Sequence, residues 1–218
     1  MPRIVRDDID RFFDYGIYPA TRTIYMGSVD TTEGMESGVD AKMAERFIKG
    51  IHLLDAQASR GKKPITVIMN NPGGDEYHGQ AIYDAIITCK SRVEIRVYGH
   101  AMSMGSIILQ AGDRRLLAPN ARLMVHYGTI KIDAHQKVFK KWSEEMDKVN
   151  KWMEDLFLKK IREVKPKFKR EELEKMLNFD TFLTSREAVN LGLADGIISI
   201  KRHRTTTAPA PTTTTASK

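Results

Sequence analysis

The segment Ile65-Thr66-Val67-Ile68-Met69 constrains the fold more than any other stretch of the chain. A short, continuous run of apolar and β-branched residues, closed by Asn70-Asn71-Pro72-Gly73-Gly74-Asp75, is what a strand buried on both faces requires. Such strands belong to parallel sheets, whose crossover connections are usually helices. The flanking sequence agrees. Within 38–59, Val39, Met43, Phe47, Ile51 and Leu54 recur at steps of four, four, four and three, which is helical spacing. Downstream, 79–89 reads as a helix, 93–98 as a strand and 103–111 as an apolar helix. A first strand is expected at 23–29, short strands at 114–117, 122–126 and 197–200, and short helices at 170–177 and 185–191. Strands alternating with helices predict an α/β fold with right-handed crossovers.

The stretch 134–164 departs from this rhythm. Val138, Trp142, Met146, Val149, Met153, Leu156 and Ile161 lie on one long helical pattern that Pro166 ends. About 30 residues at 1.5 Å each span about 45 Å, longer than a domain of this size needs. The helix either projects outward toward another subunit or breaks near its middle. Before position 23, Arg11 to Tyr15 suggest a short helix or a docking segment. From Thr205 the chain is a Thr, Pro and Ala run, which cannot bury enough apolar surface to order itself. The expected organisation is an N-terminal segment (1–22), one α/β domain (23–200) and a disordered tail (201–218).

Charge excludes some partners. The chain of 218 residues carries a formal net charge of +7, yet Lys201, Arg202, Arg204 and Lys218 place four of those charges in the tail. Elsewhere bases interleave with acids, as in KKWSEEMDKVNKWMEDLFLKK, which describes a solvated helix face and not a nucleic-acid-binding surface. One cysteine, Cys89, excludes an intramolecular disulfide framework and a cysteine zinc site. No run approaches the ~18 apolar residues of a membrane span. The N-terminus carries acids where a signal peptide would be apolar, so the cytoplasm is the expected compartment. No cofactor or metal site is expected, and GxxxxGK[ST], the phosphate-binding loop of ATPases, is absent.

Three segments carry potential chemistry. The Pro72-Gly73-Gly74 turn permits positive φ and close ligand approach, so its N–H groups can face a developing oxyanion; it also reads as an ordinary strand-to-helix turn. Ser103 lies between a strand and an apolar helix, where free N–H groups such as that of Met104 favour negative charge; the alternative reading is a helix N-cap. His126 ends the strand RLMVH and has a structural reading, and Asp180 in NFDTFLTS has an N-cap reading. Together these segments supply a nucleophile, a base, an orienting acid and an oxyanion site, the parts acyl transfer needs.

The segments MNNPGGD, GHAMSMGS, PNARLMVH and FDTFLTSREAVNLGLADGII, in this order, resemble the proteolytic subunit of the Clp protease family over roughly 23–200. The resemblance implies a ClpP/crotonase-like spiral of ββα units with a long projecting handle helix. It implies Ser103 as nucleophile, His126 as general base, Asp180 as the orienting acid, and the backbone N–H groups of Gly74 and Met104 as oxyanion hole. It further implies a serine endopeptidase that cleaves peptides or unfolded proteins inside a homo-oligomeric chamber of stacked heptameric rings, with a Clp-type AAA+ unfoldase as partner.

Some positions depart from the family. Tyr127-Gly128 follow the histidine where Gln-Pro is usual, the stretch from His126 to Asp180 is longer, 65–69 lacks the tyrosines of the unfoldase-docking pocket, and Arg96 replaces an apolar residue. The chain resembles a divergent member, of the kind a phage or a specialised paralogue encodes. Three alternatives keep the fold: a non-catalytic structural subunit of a Clp-like assembly, a phage-type capsid-processing protease, and a crotonase-type acyl-CoA enzyme.

Overall fold

The computed structural model describes residues 6–27, 38–57, 63–129 and 132–200; the expected disordered tail lies outside these residues. Helix α1 (Arg6–Tyr15) leads into strand β1 (Ile17–Tyr18), then β2 (Thr23–Gly27), α2 (Ala41–Ala56), β3 (Ile65–Asn71), α3 (Glu76–Ile87) and β4 (Val93–Met102). There follow α4 (Met104–Leu109), β5 (Arg114–Leu117), β6 (Arg122–Val125), α5 (Gln136–Val164), α6 (Arg170–Leu177), β7 (Thr181–Thr184), α7 (Ser185–Leu191) and β8 (Gly196–Ile197). Strands β2, β3, β4, β5 and β8 pair in parallel, β1 caps the β2 edge antiparallel, and β6 pairs with the far end of β4. The fold is α/β, as the buried strand and its helical neighbours require.

The apolar periodicities explain the packing. Phe47, Ile51 and Leu54 of α2 and Ile82 and Ile86 of α3 join the β-sheet residues Val67, Met69, Ile95 and Val97 in one core. Asp40 and Asp75 cap α2 and α3, accepting from the N–H groups of Met43 and His78 at 2.7 and 2.9 Å. Strand β3 is sealed on one face only. Ile65, Val67, Met69 and Asn71 are fully buried, whereas Thr66, Ile68 and Asn70 are half-buried, so the expectation of burial on both faces holds for one.

Strand β4 carries the divided architecture. Its first half pairs with β5, from Glu94↔Arg114 to Val97↔Leu117; its second half pairs with β6, from His100↔Arg122 to Met102↔Met124. The change of partner follows Gly99, whose φ is +77° and where a Cβ would stand 2.4 Å from Asn70 Oδ1. Only glycine accommodates both demands. Arg96 and Arg114 both pair with the buried Glu94 carboxylate, which accounts for the cation at position 96.

Helix α5 is unbroken over 29 residues, about 44 Å. Its fully buried residues, Met153, Phe157, Leu158 and Ile161, all lie in the second half. The first half projects, with Val138, Phe139 and Trp142 exposed. Three boundaries differ from the sequence expectations: Thr181–Thr184 is a strand that no local pattern in NFDTFLTS announces, β4 runs on past position 98 to Met102, and β8 ends at Ile197. No helix among the described residues is long and apolar enough to cross a membrane.

Candidate active site

The site lies where β3, β4 and β6 leave the sheet at their carboxyl ends, the usual location in open parallel sheets. Asn71 is fully buried at the end of β3, and its side-chain oxygen accepts the N–H of Gly73 at 2.9 Å. This Asx-type contact sets the turn that presents Gly73 and Gly74, whose φ angles are +104° and +139°. Gly74 runs beside Val39 as an isolated parallel bridge, with Val39 N–H donating to Gly73 O and Asp75 N–H to Val39 O. A Cβ on Gly73 would stand 2.5 Å from Ser103 Cβ, so the two turns touch through a position only glycine can fill.

Ser103 follows β4 directly. Its backbone adopts φ +49°, ψ −123°, a strained conformation for a residue with a side chain, and strain of this kind concentrates at functional sites. Although it occupies the N-cap of α4, its side chain makes no cap hydrogen bond. Its N–H donates to Met124 O at 2.9 Å, which ties the turn to β6. The hydroxyl instead lies 2.8 Å from His126 Nε2. The β4–β6 register accounts for this meeting: Met102 pairs with Met124, and Ser103 and His126 follow one and two residues later.

Asp180 arrives from the other side. Strand β7 runs antiparallel to β6 with Val125 opposite Thr181, so Asp180 stands across from His126. Its Oδ1 lies 2.8 Å from His126 Nδ1. A carboxylate only accepts, so Nδ1 carries the proton and Nε2 is left to accept from Ser103. Beyond the pair, Tyr127 N–H donates to Leu177 O at 2.8 Å, so His126 and Asp180 are bracketed by backbone bonds on both sides.

Gly74, Ser103, Met104 and His126 line one cavity of about 210 Å³ that extends to α5. Met104 is the first residue of α4, where helix geometry leaves the N–H without an intrahelical acceptor. The structure thus brings together all five residues singled out in the sequence. His100 is separate: it belongs to β4, and its N–H donates to Asn70 Oδ1 at 3.2 Å. Burial pushes the Cys89 thiol up to about 11, which keeps it protonated and unreactive near neutrality.

Comparison with known proteins agrees with this architecture. A family model described as Clp protease matches residues 31–201. The ATP-dependent Clp protease proteolytic subunit of Deinococcus radiodurans is 32% identical over 166 residues, covering 75% of this chain and 78% of that protein. The chain belongs to the Clp protease family. Membership makes it a serine-type peptidase.

This Clp protease family member carries a side-chain network that sequence reasoning missed. Tyr127 donates its phenol to Glu154 Oε1 on α5 at 2.7 Å. Arg170, at the start of α6, donates to Glu154 at 2.5 Å and also pairs with Asp155. Burial and the Glu154 hydrogen bond push the Tyr127 phenol far up, so it remains a donor at any working pH. The network joins the residue after His126 to the helix that precedes Asp180. The replacement of Gln-Pro by Tyr127-Gly128 was the only sequence signal, and the partner 27 residues away was not readable.

Proposed function

We propose that the chain is a serine endopeptidase in which Ser103 Oγ attacks the scissile carbonyl. The observation that carries this reading is the continuous hydrogen-bonded line from Ser103 through His126 to Asp180, 2.8 Å at each step, with its serine on a strained turn facing a cavity. His126 Nε2 takes the hydroxyl proton as the oxygen–carbon bond forms, because a serine hydroxyl is a weak nucleophile until a base accepts its proton. The Asp180 carboxylate stabilises the resulting imidazolium. The tetrahedral oxyanion is held by the N–H groups of Gly74 and Met104, where losing one donor typically costs ~10²–10³ in rate. His126 then returns the proton to the departing amine as the carbon–nitrogen bond breaks, leaving an acyl-enzyme on Ser103. Water, deprotonated by His126, releases the acid and restores the hydroxyl.

The substrates in this reading are peptides or unfolded proteins, cleaved inside an oligomeric chamber of stacked rings. Support comes from the first turns of α5, which expose Val138, Phe139 and the part of Trp142 that its edge-on contact with Tyr77 leaves uncovered. ATP dependence, which the Deinococcus relative's name carries, would come from a partner ATPase, since this chain has no GxxxxGK[ST] segment.

The test is covalent labelling by a fluorophosphonate, read by intact mass, together with peptide hydrolysis in wild type and Ser103→Ala. Labelling should be lost in the variant and hydrolysis should fall by about 10⁶-fold, to background, with assembly retained. Turnover that survives in Ser103→Ala overturns the triad.

A further inference from the structure

The cavity beside Ser103 has a lining that is apolar in part and negatively charged in part. The apolar contribution comes from Met104, Ile107, Met146, Val149 and Met153. The charged contribution comes from Glu76, the first residue of α3, and Asp147 on α5; among the described residues no lysine or arginine lines the cavity. We propose that this cavity is a specificity pocket for a lysine or arginine side chain on the residue that supplies the scissile carbonyl. The proposal rests on the serine-peptidase reading and adds to it the class of substrate.

Three observations carry it. First, neither carboxylate has a salt-bridge partner among the described residues. The nearby lysines of α5 are engaged elsewhere: Lys141 with Glu144, Lys148 with Glu145 and Lys151 with Asp155. Helix α3 contains no lysine or arginine that could neutralise Glu76. Second, the Glu76 carboxylate is placed at the reacting end. A Cβ on Gly128 would stand 2.7 Å from Glu76 Oε1, so the carboxylate lies against the chain two residues after His126. Third, the combination of surfaces matches an amphipathic cation. Lysine and arginine bury an aliphatic stem and keep a charged head that needs an anion or water. A norleucine of the same length would fill the apolar part and leave the half-buried Glu76 carboxylate without a counter-charge, while the exposed Asp147 stays hydrated; an acidic side chain would face like charge. An acid in the first turn of a helix can also serve the helix dipole, but that role alters stability and not the choice of substrate.

The experiment compares two peptidyl phosphonate probes, identical except for a lysine or a norleucine side chain next to phosphorus, with a fluorophosphonate that has no side chain. Adduct formation on the full chain is followed by intact mass. The lysine probe should label about tenfold faster than the norleucine probe, since a charge-assisted contact is worth about one decade in rate. The advantage should shrink with added salt, because charges near the surface are screened over about 10 Å at 0.1 M. Glu76→Gln and Asp147→Asn keep side-chain shape and should each lower the ratio severalfold, with circular dichroism confirming the fold. Equal or slower labelling by the lysine probe, while the fluorophosphonate still labels Ser103, overturns the pocket assignment and leaves the peptidase reading standing. Absence of labelling by all three reagents overturns both.

Discussion

The turn that carries Ser103 and the strands that carry His126 and Asp180 are held by different means. On the side of the proposed nucleophile, close backbone approach does most of the holding, with one buried side chain, Asn71, setting the turn. Asn71 fixes the Gly73-Gly74 turn, Gly73 lies against Ser103, and Ser103 N–H is tied to Met124 O. On the base side, the β6–β7 ladder and the Tyr127–Leu177 bond set the chain path, and side chains add the Tyr127–Glu154–Arg170 link to α5. A backbone clamp tolerates no added atom, whereas a hydrogen-bonded clamp loosens by degrees. The first should fail abruptly under substitution, and the second should weaken in steps.

Gly73→Ala is the sharpest way to break this contrast. Its φ of +104° is disfavoured for alanine, and the new methyl would have to displace Ser103 Cβ from 2.5 Å. A misplacement of about 1 Å in a catalytic group can cost ~10²-fold. Peptide hydrolysis and fluorophosphonate labelling should both fall by at least about 10²-fold, while circular dichroism remains native. Near-wild-type labelling would show that the Ser103 turn does not depend on its glycine neighbour.

Tyr127→Phe tests the other side. It removes one donor and leaves Glu154 still paired with Arg170, so the net loss is that of a single hydrogen bond, ~0.5–1.5 kcal/mol. If that loss is felt at His126, kcat should drop roughly two- to tenfold with little change in KM. Urea unfolding measures the structural part of the loss, and the pH profile of kcat reports whether the imidazole environment changes with it. A Tyr127→Phe variant as inactive as Gly73→Ala would erase the distinction between the two clamps.

The same division explains what was legible in the sequence. The nucleophile side is written locally, in Pro72-Gly73-Gly74 and in a serine between an apolar strand and an apolar helix, so it could be read from adjacent residues. Most of the regular elements were legible too, because α2, α3 and α5 repeat their apolar residues at helical spacing and β3 opens with a short apolar run. Strand β7 was missed because Thr-Phe-Leu-Thr has no strong alternation and is half-exposed or exposed along its length. It is a strand because Leu183 finds Leu123 sixty residues earlier, which no local pattern announces. The link from Tyr127 to Glu154 has the same character. Family motifs supplied His126 and Asp180 where residue chemistry alone had left structural readings open.

The smallest expected effect lies at the start of α7, which follows β7 and so anchors the acid side from below. Thr184 and Glu187 form a capping box: the N–H and hydroxyl of Thr184 both donate to the Glu187 carboxylate, at 2.8 and 2.7 Å. These bonds lower the Glu187 pKa from its ordinary value. A carboxylate whose pKa is depressed in the folded state contributes stability above its unfolded pKa, and that contribution is lost as pH falls through the folded value. The box should therefore be fully in force at pH 7 and fade below about pH 4. Glu187→Gln should lower the urea midpoint slightly at pH 7, and the curves of variant and wild type should converge in acid. Activity at pH 7 should hardly change, because Asp180 is held by the β6–β7 ladder as well. A large loss of labelling in Glu187→Gln would instead mean that the acid side is governed by a local helix cap, and the contrast between a backbone-held nucleophile and a side-chain-tuned base would have to be redrawn.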